Sequence, residues 1–485
     1  MTVFTYCKSP MESTSTPKLL LKLTIFIFIS VFILLQLFPI SYLHRAPSLW
    51  PPSKFSLFTA PNSLFPKEAL PTKSGYLTVN STTGSSIFYT YYEAQSLTFP
   101  DLSQTPLIIW LQGGPGCSSL FGNFMEIGPW HVNLNHHHRD LDHQPFVLEP
   151  NPGSWNRIFG LLFLDNPIGS GFSIASSSEE IPRDQFSVAK HLYIAITKFI
   201  ELDLILFSSR PLYIAGESYA GKYVPAIGYY ILKKNEESNH LVNLAGVAIG
   251  NGLIDPETQV GTHADNAYFS GLINEKQRRE MEMCQNETIR LARLKRWRDA
   301  TDARYRVVDM LIDMTGLATL FDYSKKAPYH KTQWVTDFLH DERVKRIMSV
   351  EESAVFRNCS HVVQVALYDD NMKSVKYMVE LLVKRSKVLL YQGQFDLWDG
   401  VFSTAAWVKT LQWEEIQRFL AAGRRVWRGR GDELAGYVQK WKSLSNVVVS
   451  RAGHLVPADQ PLNSQAMIEG WILETGLFSD DEQLF

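Results

Sequence analysis

Short, uninterrupted apolar runs recur along the chain and predict buried strands. The runs cover residues 107–111, 161–164, 212–215, 244–249, 388–391 and 447–449. Strands that are apolar without alternation are typical of a parallel sheet, because helices cover both of its faces. Residues 184–200 carry apolar side chains at steps of three and four, which predicts a helix between the second and third runs. Residues 74–79 and 87–93 predict an antiparallel pair that precedes this α/β alternation.

The pattern changes between about residues 256 and 372. Charged stretches with helical spacing, at 275–298 and 301–314, replace the apolar runs there. We therefore expect one domain, residues 74–485, with a helical insertion at about 256–372. The insertion either forms a cap over a site or is peripheral helix without a role in binding, since fold alone does not decide function.

The composition excludes several classes of protein. Of the 485 residues, 45% are hydrophobic and 20% are charged, which supports a packed core and excludes a disordered chain. Lys and Arg number 47 against 49 Asp and Glu, a formal net charge of -2. This balance argues against a nucleic-acid-binding protein, which usually carries a basic excess. Four cysteines are too few for a dense disulfide scaffold.

The amino terminus has the organisation of a targeting segment. Lys8, Lys18 and Lys22 precede residues 23–38, which are free of charge. The apolar stretch is slightly shorter than a minimal membrane span of about 17 residues. We predict that residues 1–45 are a secretory signal, either cleaved or kept as an anchor. Residues 46–73 are rich in Pro and Ser and predict a linker or pro-like segment.

Entry into the secretory pathway would make the sequons and the cysteines of the chain functionally relevant. Three sequons, at Asn80, Asn286 and Asn358, would become glycosylation acceptors, and the same compartment permits disulfides.

A group of histidines, by contrast, does not predict a metal site. His136, His137, His138 and His143 lie close together in sequence. Successive residues cannot all face one ion, and no Cys or acidic residue stands at ligand spacing, so we expect a solvated loop and no metal.

The segment around Ser218 predicts a nucleophile. An apolar strand leads into Gly216-Glu217-Ser218-Tyr219-Ala220, and a helical pattern follows. This strand–turn–helix context is that of a nucleophile elbow, in which a sharp turn exposes the serine hydroxyl. The alternative is an ordinary strand–helix turn with a capping serine.

Candidates for the acid and the base follow the last two buried strands. A serine hydroxyl needs a base to remove its proton and an acid to orient that base. In α/β hydrolases the chain order is Ser, then Asp or Glu, then His. Asp396 and His454 fit this order, and each follows the carboxyl end of a strand, where α/β sites collect.

A glycine-rich turn follows the strand at 107–111. Residues 113–116 read Gly-Gly-Pro-Gly, which lets backbone N–H groups approach an oxyanion closely. The alternative is a simple glycine turn.

Six stretches, taken together, resemble the serine carboxypeptidases, the secretory α/β-hydrolase family that includes cathepsin A-like and plant serine carboxypeptidase-like proteins. They are WLQGGPGCSSLFGNFMEIGPW, PNPGSWNRIFGLLFLDNPIGSGFS, PLYIAGESYAGKYVP, LAGVAIGNGLIDP, VLLYQGQFDLWDG and RAGHLVPADQP. The resemblance spans nearly the whole chain after the leader. It implies an α/β-hydrolase fold with a mixed, mostly parallel sheet, helices on both faces and a helical cap.

The resemblance also implies roles for individual residues. It implies a catalytic triad of Ser218, Asp396 and His454, and an oxyanion hole formed by the backbone N–H groups of Gly114 and Tyr219.

Recognition of the terminal carboxylate of the substrate is implied for a further group. Two neighbouring carboxyls cannot both ionise cheaply, so one would hold a proton and donate it to the substrate carboxylate, which predicts an acidic pH optimum. The family usually has Asn at position 112, whereas this chain has Gln. The implied residues are Trp110, Gln112, Gly113, Glu126 and Glu217.

One disulfide is implied by the family. Excluding Cys7 in the leader leaves three cysteines, so at least one is unpaired or pairs between chains. The resemblance implies a Cys117–Cys359 bridge and leaves Cys284 over. The bridge would make Asn358 a poor glycan acceptor.

Three functions compete on this basis. The first is a carboxypeptidase that needs no cofactor and acts on peptide or protein carboxyl termini through an acyl-enzyme. The second uses the same triad to transfer an acyl group from a sugar ester, as plant relatives do; these acyltransferases have Asp before the nucleophile and Ser two residues after it, whereas this chain has Glu217 and Ala220. The third is a non-catalytic binding protein, against which the intact Ser, Asp and His argue. No nucleic acid is expected as a partner, and the membrane only through an uncleaved leader.

Overall fold

The computed structural model describes residues 65–135, 145–237 and 242–479. All of them belong to one compact unit, Ala60–Phe485. The predicted signal, most of the predicted linker and the histidines at 136–138 and 143 lie outside the described residues. Within the described ranges, no helix is both long and apolar enough to cross a membrane.

A ten-stranded sheet forms the core, and a separate two-stranded hairpin lies beside it. The sheet order is β1-β2-β6-β3-β7-β8-β9-β12-β11-β10, and β4 pairs with β5. The strands are β1 Lys73–Thr78, β2 Ser86–Tyr92, β3 Leu107–Leu111, β4 Trp130–Leu134, β5 Phe146–Pro150, β6 Gly160–Leu164, β7 Leu212–Glu217, β8 Leu244–Gly250, β9 Lys387–Gly393, β10 Arg425–Arg428, β11 Leu434–Trp441 and β12 Leu444–Val449.

The centre of the sheet is parallel and its edges are antiparallel. Strands β6, β3, β7, β8, β9 and β12 run parallel to one another, whereas β1 and β2 at one edge and β11 and β10 at the other join them through antiparallel pairs. This confirms the predicted mixed, mostly parallel sheet of an α/β-hydrolase fold. The apolar runs did not reveal β10, because its residues are only half-buried or exposed at the sheet edge.

The two faces of the sheet pack into separate cores because successive side chains of a strand point to opposite sides. Leu107 and Ile109 of β3 pack with apolar side chains from the helices at Gln185–Glu201 and Ala220–Glu237. Ile108 and Trp110 pack with apolar side chains from the helix at Pro461–Leu473. The helices outside the insertion are α1 Gln185–Glu201, α2 Leu204–Phe207, α3 Ala220–Glu237, α11 Lys376–Arg385, α12 Val401–Val408, α13 Ile416–Ala421, α14 Val456–Asp459 and α15 Pro461–Leu473.

The residues between β8 and α11 are helical, as the sequence indicates for the insertion. The helix expected at 275–298 is shorter than the sequence indicates. The helix that begins at Glu275 ends at Arg293, and Lys295 adopts a left-handed φ of 57°. The helices are α4 Pro256–Val260, α5 His263–Phe269, α6 Glu275–Arg293, α7 Trp297–Thr315, α8 Lys331–Leu339, α9 Glu342–Ile347 and α10 His361–Ala366.

The packed part of the chain begins before Ser74. Phe65 is buried, stacks on Phe338 of α8 and meets the edge of Phe124. The last residues of the stretch expected to be a linker therefore contact both the core and the insertion.

Candidate active site

Ser218 stands at the turn between β7 and α3. Its φ of 60° lies in the left-handed region, which a residue with a side chain rarely adopts. The turn is held by three backbone hydrogen bonds: Ser218 N–H donates to Gly250 O at 3.0 Å, and Ser218 O accepts from the N–H groups of Gly221 and Leu253, each at 2.9 Å. Ser218 is half-buried although Glu217 and Tyr219 are buried, so the turn leaves its side chain accessible.

The glycine-rich turn after β3 lies directly against this elbow. A Cβ atom at Gly113 would come within 2.6 Å of both Glu217 O and Tyr219 N. Only glycine therefore permits this approach of the two backbones.

Asp396 and His454 meet across the sheet. Asp396 follows β9 and His454 follows β12, and these strands are parallel neighbours, so their carboxyl ends lie side by side. His454 Nδ1 lies 2.8 Å from Asp396 Oδ2, and both residues are almost completely buried. The structure thus brings these two predicted residues together.

Asn251, at the end of β8, is a site residue that the sequence reasoning missed. Its Nδ2 donates to Asp396 Oδ2 at 2.6 Å, while its Oδ1 accepts from Gly393 N–H at 3.2 Å. The N–H group of Trp398 also donates to the Asp396 carboxylate, at 2.7 Å. The available signal was the Asn-Gly pair directly after a buried strand.

The imidazole of His454 is prepared to accept a proton. Burial alone would lower the pKa of His454, but Asp396, with smaller contributions from Asp399 and Glu126, outweighs burial and raises the pKa above its usual value. His454 Nε2 is buried and has no hydrogen-bond partner among the described residues, Ser218 included. In free enzymes such catalytic hydrogen bonds are often long, and they tighten when substrate binds.

Gly114 and Tyr219, whose N–H groups the family resemblance implied as an oxyanion hole, lie in the two turns that meet at Ser218. Gly114 is exposed and has a φ of 111°, and Tyr219 immediately follows Ser218. Neither N–H group donates a hydrogen bond to another described residue. Both donors are therefore available beside the Ser218 turn.

A buried cluster of polar side chains lies next to the elbow. Trp110 Nε1 donates to Gln112 Oε1 at 2.8 Å, and Gln112 Nε2 donates to Glu217 Oε1 at 2.7 Å and to Glu126 Oε1 at 3.4 Å. Glu126 ends a single π-helical turn, Gly122–Glu126, and is as fully buried as Glu217. The longer Gln side chain at 112 thus reaches both carboxyls.

The two carboxyl groups of this cluster favour their protonated forms. Burial raises the pKa of Glu126 to about 7. Burial, together with the charge of Glu126, raises the pKa of Glu217 well above its usual value. Gln112 Nε2 donates to one oxygen of each carboxyl, while Glu126 Oε2 and Glu217 Oε2 are buried without a partner among the described residues, a setting that favours retention of a proton. At acidic pH the pair can therefore donate a hydrogen bond.

The structure contains the Cys117–Cys359 disulfide that the family resemblance implied. It joins the glycine-rich turn after β3 to the insertion segment between α9 and α10. Cys284 is a free, half-buried cysteine on α6. In the described part of the chain, no group of His, Cys, Asp and Glu side chains could hold a metal ion.

The three sequon asparagines have different surroundings. Asn286 and Asn358 are exposed, whereas Asn80 is half-buried and its side chain accepts from Thr82 N–H at 3.1 Å. Asn358 Oδ1 accepts from the N–H group of Cys359, the disulfide residue within its own sequon, at 2.6 Å.

The family comparison agrees with this geometry. The serine carboxypeptidase family matches residues 61–474, which is most of the chain. The chain belongs to the serine carboxypeptidase family. It is 54% identical over 415 residues to serine carboxypeptidase-like 50 of Arabidopsis thaliana, covering 86% of this chain and 90% of that protein. It is 32% identical to serine carboxypeptidase S10 family member 1 of Dictyostelium discoideum, covering 82% and 93%.

A solved structure supports the fold of this serine carboxypeptidase. The prohormone-processing carboxypeptidase of Saccharomyces cerevisiae superposes with a TM-score of 0.74 at 23% identity, covering 84% of this chain and 93% of that one. Family membership makes the protein an enzyme of the hydrolase class, and the family implies peptides with a free carboxyl terminus as substrates.

The carboxyl pair generates a prediction about stability. The native state keeps protons on Glu126 and Glu217 at a pH where the unfolded chain has released them, above about pH 4.3. Stability therefore falls as pH rises towards 7, and Glu126 alone accounts for a loss on the order of 3 kcal/mol. The isosteric double variant Glu126→Gln/Glu217→Gln should lose less of its thermal midpoint between about pH 5 and about pH 7.

A matched variant at an exposed position, Glu68→Gln, should behave as the wild type does. Asp165 and Asp399, whose pKa values burial raises to about 6 and about 7, remain in every variant and cancel in the comparison. An equal loss of midpoint in the wild type and the double variant would show that the pair does not hold protons in the native state.

Proposed function

We propose that this enzyme hydrolyses the last peptide bond of peptides and releases the carboxyl-terminal amino acid through an acyl-enzyme. The observation that carries the proposal is the buried cluster of Gln112, Glu126 and Glu217 beside Ser218. Glu217 is adjacent to Ser218 in sequence, so a group bound by the carboxyl pair is held close to the nucleophile. Such a site selects a substrate that ends in a carboxylate close to the scissile bond.

The chemistry follows the order of a serine hydrolase. His454 Nε2 takes the proton of Ser218 Oγ as the oxygen attacks the scissile carbonyl carbon. Asp396 keeps the His454 ring in position and stabilises the imidazolium that forms. The N–H groups of Gly114 and Tyr219 stabilise the negative oxygen of the tetrahedral intermediate. His454 then gives its proton to the leaving amino group, and water hydrolyses the acyl-enzyme with His454 as base.

The carboxyl pair recognises the terminal carboxylate only while it holds a proton. A shared proton between Glu126 and Glu217 allows one of them to donate to the incoming carboxylate, whereas two ionised carboxylates would repel it. Since the pKa of Glu126 is about 7, this recognition weakens as pH rises through neutrality. The same groups thus give both the specificity and an acidic pH optimum.

Acyl transfer from a sugar ester is the second function to be tested, because the Arabidopsis relative carries the name serine carboxypeptidase-like. Glu217 and Ala220 at the elbow favour the peptidase, since the acyltransferases resemble one another in having Asp and Ser at these positions. Because both activities would use the same triad, an organophosphonate would label the serine in either case. Only an assay with both substrates, a blocked dipeptide and a sugar ester, separates them.

We further propose that the chain enters the secretory pathway and is secreted or reaches a vacuolar or lysosome-like compartment. The apolar segment at 23–38, the exposed sequon asparagine Asn286 and the Cys117–Cys359 disulfide support this, because disulfides persist in oxidising compartments.

One experiment tests the nucleophile and the substrate class together. An organophosphonate should label the wild type and the Ser208→Ala variant, which alters an exposed serine, but not the Ser218→Ala variant. At acidic pH the proteins that react with the organophosphonate should be those that cleave a blocked dipeptide before labelling, and labelling should abolish the cleavage. Labelling with acyl transfer from an acyl-glucose ester but without dipeptide cleavage would establish an acyltransferase, and absence of labelling would indicate a binding protein.

A second experiment tests the role of the carboxyl pair in recognition. The preference of the wild type for a blocked dipeptide over its carboxyl-terminal amide should fall by roughly tenfold or more between about pH 5 and about pH 8, as a charge-assisted hydrogen bond is lost. In Glu126→Gln/Glu217→Gln the amide donors do not titrate, so the preference should not change with pH. Wild-type cleavage of the dipeptide that is as fast at about pH 8 as at about pH 5 would contradict the assignment.

A further inference from the structure

A short segment of the insertion lies between the loop that carries Asp396 and the loop that carries His454. Residues 320–323 follow α7 and precede α8. On one side, Leu320 O accepts from Leu397 N–H at 3.0 Å, next to Asp396. On the other side, Phe321 O accepts from the N–H group of His454 itself at 2.6 Å. This backbone therefore bridges the loop that carries Asp396 and the loop that carries His454.

The ring of Phe321 lies flat on the imidazole of His454. The ring centroids are 4.5 Å apart and the planes are inclined by only 11°. Trp398, from the Asp396 loop, packs edge to face with the ring of Phe321, and their centroids are 5.5 Å apart. Phe321 is half-buried and His454 is almost completely buried, so the phenyl ring covers the imidazole from the side of the insertion.

A phenyl face in this position distinguishes between the two charge states of histidine. The negative face of an aromatic ring attracts a cation, and the attraction grows when water is excluded. The interaction is therefore stronger for the imidazolium than for the neutral ring. The stack also restricts rotation of the imidazole, whose orientation otherwise depends on the hydrogen bond to Asp396.

We propose that Phe321 is a positioning residue of the reaction, which holds the His454 ring and stabilises the imidazolium formed when His454 takes the proton of Ser218. The inference rests on the proposed function and adds to it a role for the insertion. On this account the insertion is part of the catalytic apparatus, because one of its side chains acts on the general base.

The charged groups around His454 come from several elements and are unchanged by a substitution at position 321. A change in the pKa of His454 in such a variant therefore reports the loss of the phenyl ring, and we expect that loss to lower the pKa. Three of the groups act on His454 directly: Asp396 and Asp399 on the loop after β9, and Glu126 on the π-helical turn. Asp322 and Asp459 lie against the adjacent Gly453, and Lys325 pairs with both of them.

The test is the pH dependence of Ser218 labelling by an organophosphonate, a reaction that needs the base but not the carboxylate site. Neutral His454 is the reactive form, so the acidic limb of the profile reports its pKa. In Phe321→Leu this limb should move to lower pH by roughly half a unit, the shift that a weak cation–π interaction corresponds to, and the maximal rate should fall about tenfold. Phe321→Tyr, which keeps the ring, should retain the wild-type limb.

Tyr305→Leu is the matched control, because Tyr305 is also a half-buried aromatic residue of the insertion and stacks on Tyr368 at 6.0 Å. It should leave the limb and the rate unchanged. A Phe321→Leu enzyme that is slower but keeps the wild-type limb would assign Phe321 a packing role only and overturn the proposal. Dipeptide cleavage and labelling by the wild type would still support the proposed function in that case.

Discussion

Two carboxyl groups buried against each other, Glu126 and Glu217, impose the constraint on which the rest of this site depends. Two ionised carboxylates could not remain there, because both desolvation and mutual repulsion oppose it. The amide of Gln112 contacts both carboxyls, and burial favours their protonated forms. Because Glu217 also precedes Ser218, the protonation of the proposed recognition site and the position of the proposed nucleophile depend on the same turn of the chain.

The parallel sheet explains how residues from distant parts of the chain meet at this turn. Strands β7, β8, β9 and β12 are neighbours in that order, so their carboxyl ends form one edge that delivers Ser218, Asn251, Asp396 and the loop to His454. The left-handed φ of Ser218 is unfavourable by itself and persists because β8 and α3 fix both sides of its backbone. The insertion then fills the gap between the Asp396 and His454 loops. The contacts of Leu320 and Phe321 support the proposal that the insertion belongs to the site.

Local sequence predicted the elements that carry the triad but not all the contacts that complete it. The strand-end positions of Ser218, Asp396 and His454 could be found because apolar runs mark buried parallel strands, and parallel strands align their carboxyl ends. The position of Phe321 could not, since only tertiary packing brings the insertion onto His454. The local sequence did not predict the burial of Glu126 either, because acidic residues are usually exposed whatever their neighbours; only the family resemblance implied a role for it in the site.

The most direct test of the central claim is to observe the proton between Glu126 and Glu217. Infrared spectroscopy of enzyme labelled with ¹³C-glutamate distinguishes protonated from ionised glutamate side chains, and at about pH 6 exposed glutamates are ionised. The account predicts a protonated glutamate signal in the wild type at that pH and its loss in Glu126→Gln/Glu217→Gln. A wild-type spectrum with every glutamate ionised at about pH 6 would contradict it.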